Sequence, residues 1–278
     1  MKRLGFLVIV LLLTIMLSGC WTGEITVDTT FNADGSGSRS YILYVYDEDL
    51  SSDPIKNPDD PEGTEGKGAV INNPHVNGGV VAIQKWLEDN APKFMTVEPM
   101  KTEGVQRIFT LTFKFKNFDD FLDKYEQLVN LSSTLKWSDF ANDLPTFESK
   151  GFIKKKVEFH ETRELVEASM DWAIEGIFND IWQEASLAGF GLTKASIAKF
   201  ASYKLTVGDE TYEELQHFDP NAPDGEGTGK VVYVSSTEFS AAGTGINKTE
   251  VSLLVGGIVI LVAAVGVAVF FILKKKKA

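Results

Sequence analysis

The sequence predicts an α+β fold, a largely antiparallel sheet with helices packed on one side, plus one C-terminal transmembrane helix. Three observations carry this. Several short runs alternate apolar and polar residues, the period of half-buried strands. Other stretches repeat their apolar residues at helical spacing. The run 251–273 holds 23 residues without a charge, about 34 Å as helix and enough to span a bilayer with some tilt.

The elements follow in order. Ile25, Val27 and Phe31 sit at odd positions of a first strand, Asn32–Gly37 is a turn cluster, and Tyr41, Leu43 and Val45 alternate in a second strand. From about 47 to 79 prolines, glycines and acids replace apolar residues, which predicts a mobile insertion. Val80–Asn90 reads as a short helix with Val80, Ile83 and Leu87 on one face. Strands are expected over 93–100 and 105–116, the second alternating Phe109, Leu111, Phe113 and Phe115 against polar residues. Asn117 is placed to cap a helix carrying Phe118, Phe121, Leu122, Tyr125, Leu128 and Val129.

A strand over 152–161 contains Lys154, Lys155 and Lys156, read as an exposed edge that discourages sheet stacking or as a small basic spot for anionic headgroups. Thr162 then caps one long helix over 163–187, whose wide apolar stripe implies burial or a groove for lipid tails. Late strands are expected at 201–208 and 230–236, and 240–250 reads as a small-residue linker. The first and last strands are placed to pair, bringing both ends of the domain to one side. The order of elements gives the α+β class.

Composition limits the function. The chain has 278 residues, 27 basic against 39 acidic, and a net charge of −12. Without Lys2, Arg3 and the four tail lysines, 21 basic residues face 39 acidic ones, so the outer portion is near −18. That balance argues against nucleic acid as a partner, because phosphate binding needs a basic face. One cysteine excludes an internal disulfide and a multi-cysteine metal cluster.

The N-terminus reads as a signal peptide over 1–19. Lys2 and Arg3 precede a short apolar run, too short to span comfortably. Its ending, Leu17-Ser18-Gly19-Cys20, resembles the lipobox of bacterial lipoproteins, which implies lipidation at Cys20 and cleavage before it. At the other end, Lys274, Lys275, Lys276 and Lys277 follow the apolar run from Val251 to Leu273 at once. The positive-inside rule makes 274–278 a basic cytoplasmic tail and places 20–250 on the extracytoplasmic side. No LPxTG-type motif precedes the run, so a retained anchor is expected rather than a wall-sorting signal. Trp21 after the cysteine favours an outer membrane by the Gram-negative sorting rule, whereas the lysine-flanked helix belongs in an inner one. A single-membrane, Gram-positive cell removes the conflict.

Together, the lipobox cysteine, the segment ITVDTTFNADGSGSRSYIL, the α+β layout and the basic C-terminal anchor resemble the LppM-like bacterial lipoproteins. That resemblance implies an envelope lipoprotein that binds lipid or glycolipid without catalysis.

Catalytic motifs do not emerge. His75, His160 and His217 fall in separate segments without metal-ligand spacing, and no P-loop, GxGxxG or GxSxG is present. The loop 219–226 approaches a calcium loop, but its glycine falls one position late and no glutamate stands at the twelfth position. No cofactor, metal ligand or catalytic residue is therefore expected. The expected partner is the lipid bilayer. Two functional readings follow, a non-catalytic binding module for lipid or an envelope polymer, and a structural or assembly factor that recruits a membrane protein.

Overall fold

The computed structural model of the chain describes residues 23–47, 79–178, 198–219 and 230–276. It is an α+β structure. Strands β1 (Gly23–Phe31) and β2 (Gly37–Tyr46) form the expected hairpin, with Phe31 opposite Gly37. Its turn closes through Asn32 N donating to Ser36 O at 2.7 Å, Asp34 Oδ1 accepting from Ser36 N at 3.0 Å, and Gly35 at φ +80°. Only glycine takes that φ without strain.

Beside β2 lies β5 (Gln106–Phe115), on which the short strands β3 (Met95–Val97) and β4 (Lys101–Glu103) both pair. Beyond β1, β8 (Ala198–Val207) runs parallel to it, and β9 (Glu210–Leu215) returns antiparallel on β8. These seven strands form one sheet in the order β3-β5-β2-β1-β8-β9, with β4 also on β5. All its described pairs except β1–β8 are antiparallel. One face carries Val27, Tyr41, Leu111 and Leu205, all buried. Their neighbours Thr26, Ser40, Thr112 and Thr206 point the other way and are half-buried, the alternation of a sheet covered on one side.

The cover is made of helices and a second sheet. After a 3-10 turn at Val80–Ala82 comes α1 (Ile83–Asn90), then α2 (Phe118–Asn130), α3 (Arg163–Ala168) and α4 (Asp171–Phe178). Asn117 caps α2 as expected, its Oδ1 accepting from Asp120 N at 2.8 Å, and Asp120 Oδ2 accepts from Lys116 N at 2.8 Å. The second sheet comprises β6 (Thr146–Lys150), β7 (Lys154–Thr162) and β12 (Glu238–Ile246), all antiparallel with β7 in the middle. It lies on the same buried face: Phe31 of β1 stacks on Phe159 of β7 at 4.4 Å, and Tyr203 of β8 on Phe239 of β12 at 3.7 Å. A small ribbon, β10 (His217–Asp219) with β11 (Lys230–Val232), stands apart.

Four expectations are corrected. The stretch 240–250 is not a linker: β12 pairs with β7 along its whole length, and Phe239 is fully buried. Its small residues are there for close packing. A Cβ on Gly243 would run into the Val207 carbonyl oxygen, and one on Gly245 would sit 2.9 Å from Ala33 Cβ. The long helix over 163–187 is broken into α3 and α4. Ser169 Oγ bonds back to Val166 O at 2.6 Å and meets Tyr41 Oη at 2.8 Å, and Met170 N reaches back only to Glu167 O. Such back-bonding competes with helix continuation; residues 179–187 lie outside the described ones. The three lysines sit in a central strand rather than an edge. Finally, the first and last strands do not pair, since β1 takes β8 and β12 takes β7.

The last element is α5 (Lys248–Lys276), a helix of 29 residues. Its side chains are described as far as residue 266. Over those residues, no helix of the chain is long and apolar enough to cross a membrane, so the transmembrane helix expected over 251–273 is not shown.

The close passage of β12 gives a direct test. Gly243→Val should lower stability by about 3 kcal/mol or more, the upper range for forcing bulk against packed backbone. Ala242→Val, at an exposed position of the same strand, should stay within about 0.5 kcal/mol of the parent. Denaturant unfolding of the two variants reads the difference. A linker would tolerate both.

Candidate functional site

Among the described residues, two of the places where polar and charged side chains gather fix the arrangement of elements. The first is the base of α5. Asn247 joins β12 to the helix and caps it, its Oδ1 accepting from Glu250 N at 3.2 Å and its carbonyl from Val251 N at 3.0 Å. The Asn247 N–H itself donates to Ile153 O at 2.9 Å, next to β7. Lys155 of β7 pairs with Glu250 at 3.2 Å, both side chains largely covered. One strand over, Asp209 accepts from Thr244 N at 2.5 Å and from Thr244 Oγ1 at 2.7 Å. These two bonds from Thr244 hold the Asp209 carboxyl below the usual carboxylate range. The helix therefore grows from a fixed corner of the two sheets.

The second is a buried cluster between the sheets. Arg39 of β2 and Glu161 of β7 are both fully buried and form an ion pair. Arg39 Nε also donates to Thr29 Oγ1 at 2.8 Å, and the guanidinium lies 4.7 Å from the Tyr125 ring and 4.9 Å from Phe121. Glu161 accepts from Tyr125 Oη at 3.0 Å and from Tyr203 Oη. Burial opposes the Arg39 charge, yet Glu161 and the surrounding tyrosine oxygens hold its pKa well above the ordinary value. Burial first, and then the Glu161 charge, push Tyr125 and Tyr203 far up, so both remain neutral donors. An arginine, a glutamate and two tyrosines resemble catalytic equipment in type. Sealed from solvent, they hold elements together instead: β1, β2, β7, β8 and α2 each contribute one partner.

The residues singled out in the sequence fall as follows. Cys20 and Lys277 lie outside the described residues, as do His75, the insertion over 48–78 and the loop over 220–229. Val251 is in the first turn of α5; Leu273, Lys274, Lys275 and Lys276 are within the same helix. His160 sits on β7 with its Nε2 3.4 Å from Glu238 Oε2, a strand-surface contact, and His217 is on β10. Among the described residues, no three His, Cys, Asp or Glu side chains converge as metal ligands.

The apolar stripe of the interrupted helix faces protein. Trp172 of α4 stacks on Trp86 of α1 at 6.0 Å, and any side chain at Gly176 would strike the Trp86 ring. A surface groove between the ends of α1 and α2 is lined by Pro92 and Leu131 together with Asn90, Asp123, Glu126, Gln127 and Asn130, an open mixed surface with two carboxylates.

Two predictions follow from these bonds. Arg39→Met should cost about 3–5 kcal/mol, because Glu161 is left buried without its counter-charge. Arg39→Met combined with Glu161→Gln should cost less, since the neutral amide carries no unpaired charge, its oxygen accepts from one tyrosine and its NH2 donates to the hydroxyl of the other; denaturant unfolding compares them. For Asp209, the folded pKa lies below the unfolded value, so its contribution is complete above about pH 4 and fades as pH falls through the lowered pKa. Asp209→Asn should melt earlier than the parent at neutral pH, with the gap closing on acidification, as read by thermal melts across the acid range.

No family model matches the chain, and no curated protein matches it. Among solved structures, the folded domain of the Mycobacterium tuberculosis LppM protein, determined by NMR, is similar to it. The likeness covers 83% of this chain and 94% of that one at 12% identity, with a TM-score of 0.29. A superposition that loose leaves the fold and role of this chain to be argued from its own residues.

Proposed function

We propose that the chain is a membrane-anchored envelope lipoprotein whose α+β domain is a non-catalytic binding module for lipid or an envelope polymer. The observation that carries the anchor is α5. It is helical over Lys248–Lys276, and within it 251–273 contains no charged residue and ends on four lysines. Leu253, Ile258, Ile260 and Leu261 are all exposed, and in water so many uncovered apolar side chains on one helix are unfavourable. A bilayer covers them. Taken whole from the sequence, the uncharged run 251–273 extends beyond the residues whose side chains are described, and as helix it would be about 34 Å long, the hydrocarbon thickness with tilt.

The acyl group on Cys20 and the extracytoplasmic side of the domain belong to this same proposal. Support comes from the lipobox residues 17–20 and from the lysine cluster on the far side of the helix. The non-catalytic part rests on the sealed Arg39–Glu161 cluster, whose reactive groups no substrate reaches.

The test is native mass spectrometry of the detergent-solubilised full chain, with and without added membrane lipids. The expected result is a discrete mass increment on a protein already carrying the diacylglyceryl mass at Cys20, removed by solvent extraction. A clean apo mass in every lipid overturns the binding module and turns the search to a protein partner captured by crosslinking. A free thiol at Cys20 overturns the lipoprotein reading.

A further inference from the structure

The fixed corner from which α5 grows also carries uncovered apolar surface. The turn between β6 and β7 passes through Gly151, at φ +119°, and projects Phe152 and Ile153. Phe152 is 62% exposed, and so, at 64%, is Ile246 at the end of β12. Ile246 lies opposite Lys154 in the β12–β7 register, so the two apolar sites adjoin. Around them Lys150, Lys154 and Lys156 are exposed. The segment 148–156 thus carries four lysines and one glutamate in a domain that is strongly acidic elsewhere.

We propose that this β6–β7 hairpin tip is a foot that beds in the headgroup layer of the bilayer entered by α5, with Phe152 and Ile153 at the acyl boundary and the lysines on anionic headgroups. The proposal rests on the reading of α5 as a membrane span. Position carries it. Asn247 N donates to Ile153 O, so the tip is level with the residue before α5 begins. The first apolar residue of the run, Val251, is four residues on, about 6 Å along the helix. A headgroup layer is of order 5–7 Å deep, so the tip stands where that layer begins. The helix base is tied to the same hairpin by the Lys155–Glu250 pair, which keeps the tip from swinging away. Chemistry agrees with position: an aromatic ring with lysines is the composition that settles at membrane interfaces.

The acids nearby offset the lysines only in part. Glu148 pairs with Lys150 at 2.5 Å and Glu250 with Lys155, and Asp209, kept ionised by its bonds from Thr244, lies within electrostatic reach of Lys154. Four lysines against these three carboxylates leave the tip positive in an acidic domain.

The test uses the full chain in proteoliposomes of phosphatidylcholine with phosphatidylglycerol. Phe152→Cys is labelled with an environment-sensitive dye, and nitroxide lipids serve as quenchers. Phe218→Cys, also exposed, is the control from the far end of the domain, where neighbouring Gln216 contacts Glu24. Both variants are made on Cys20→Ser, which removes the one other thiol and any acyl group that would hold the Gly23 end at the bilayer. Resistance of α5 to alkaline extraction is measured on the same samples. Expected are a blue shift and quenching at 152, neither at 218, and at least about a twofold loss of quenching in Lys150→Gln/Lys154→Gln/Lys156→Gln or without phosphatidylglycerol. An unquenched label at 152 on a chain that resists extraction overturns the foot and leaves the anchor standing. A blue shift without lipid quenching means another protein copy covers the tip, which also overturns it. If the chain is extracted and the label is unquenched, both readings fall.

Discussion

The Arg39–Glu161 pair is the constraint around which the domain is arranged. Two opposite charges buried at no exposure are expensive unless geometry and hydrogen bonds satisfy them. Here Thr29, Tyr125 and Tyr203 supply most of those bonds from β1, α2 and β8, with Arg39 Nη1 left without one. The sheets and the helix can close only in the register that brings all five side chains to one point. A slip of one residue along β7 would put Glu161 on the opposite face, where Glu158 and His160 now lie, and leave Arg39 buried alone. The pair therefore selects one packing of the second sheet on the first. Apolar contacts such as Phe31 on Phe159 could be met by several packings.

From that point toward α5 the core becomes aromatic. Phe31, Phe115, Phe118, Phe121, Phe147 and Phe159 contact one another with ring centroids 4.4–6.4 Å apart. Large rings with few rotatable bonds fill the end of the sandwich at low entropic cost. The β1–β2 turn, the β6–β7 turn and the end of β12 rest on this plug, with Ser149 Oγ bonded to Ala33 O at 3.0 Å. The result is a packed platform beneath α5 in place of a linker.

Much of this was legible in the residues. The opening hairpin, the alternation of β5, the Asn117 cap and the α2 stripe depend on local periodicity and turn chemistry, which the chain states directly. What failed was long-range. The residues 240–250 read as a linker because glycine and alanine disfavour strands on their own; they form β12 because Val207 and Ala33 come too close for larger side chains, a fact invisible in one segment. The break at Ser169 depends on Tyr41, far away in sequence. The buried pair did leave a trace. Arg39 shares parity with Tyr41, Leu43 and Val45, and Glu161 with Val157 and Phe159. A charge on the buried face of each of two strands signals that the two must meet. The strand β6 left none, since Thr146–Lys150 is short and mostly exposed.

The sheet also sets terms for the two anchors of the proposed reading. Gly23 and Phe31 are the two ends of β1, about 26 Å apart at the usual rise per residue. The base of α5 adjoins the Phe31 end, through Ala33 and Gly208, so Gly23 stands at the far end. Cys20 precedes Gly23 by three residues, a reach of only about 10 Å. An acyl chain at Cys20 and a membrane-spanning α5 therefore share one bilayer only when β1 lies closer to the membrane plane than to its normal. The expectation that both ends leave the same side of the domain is thus replaced by a stronger condition. A helix alone would let the acidic domain stand away from an anionic surface, as charge repulsion favours. A lipid at the opposite end works against that repulsion and lays the domain down. On the proposed reading, in which the helix retains the chain, the lipid would fix orientation and leave retention to the helix.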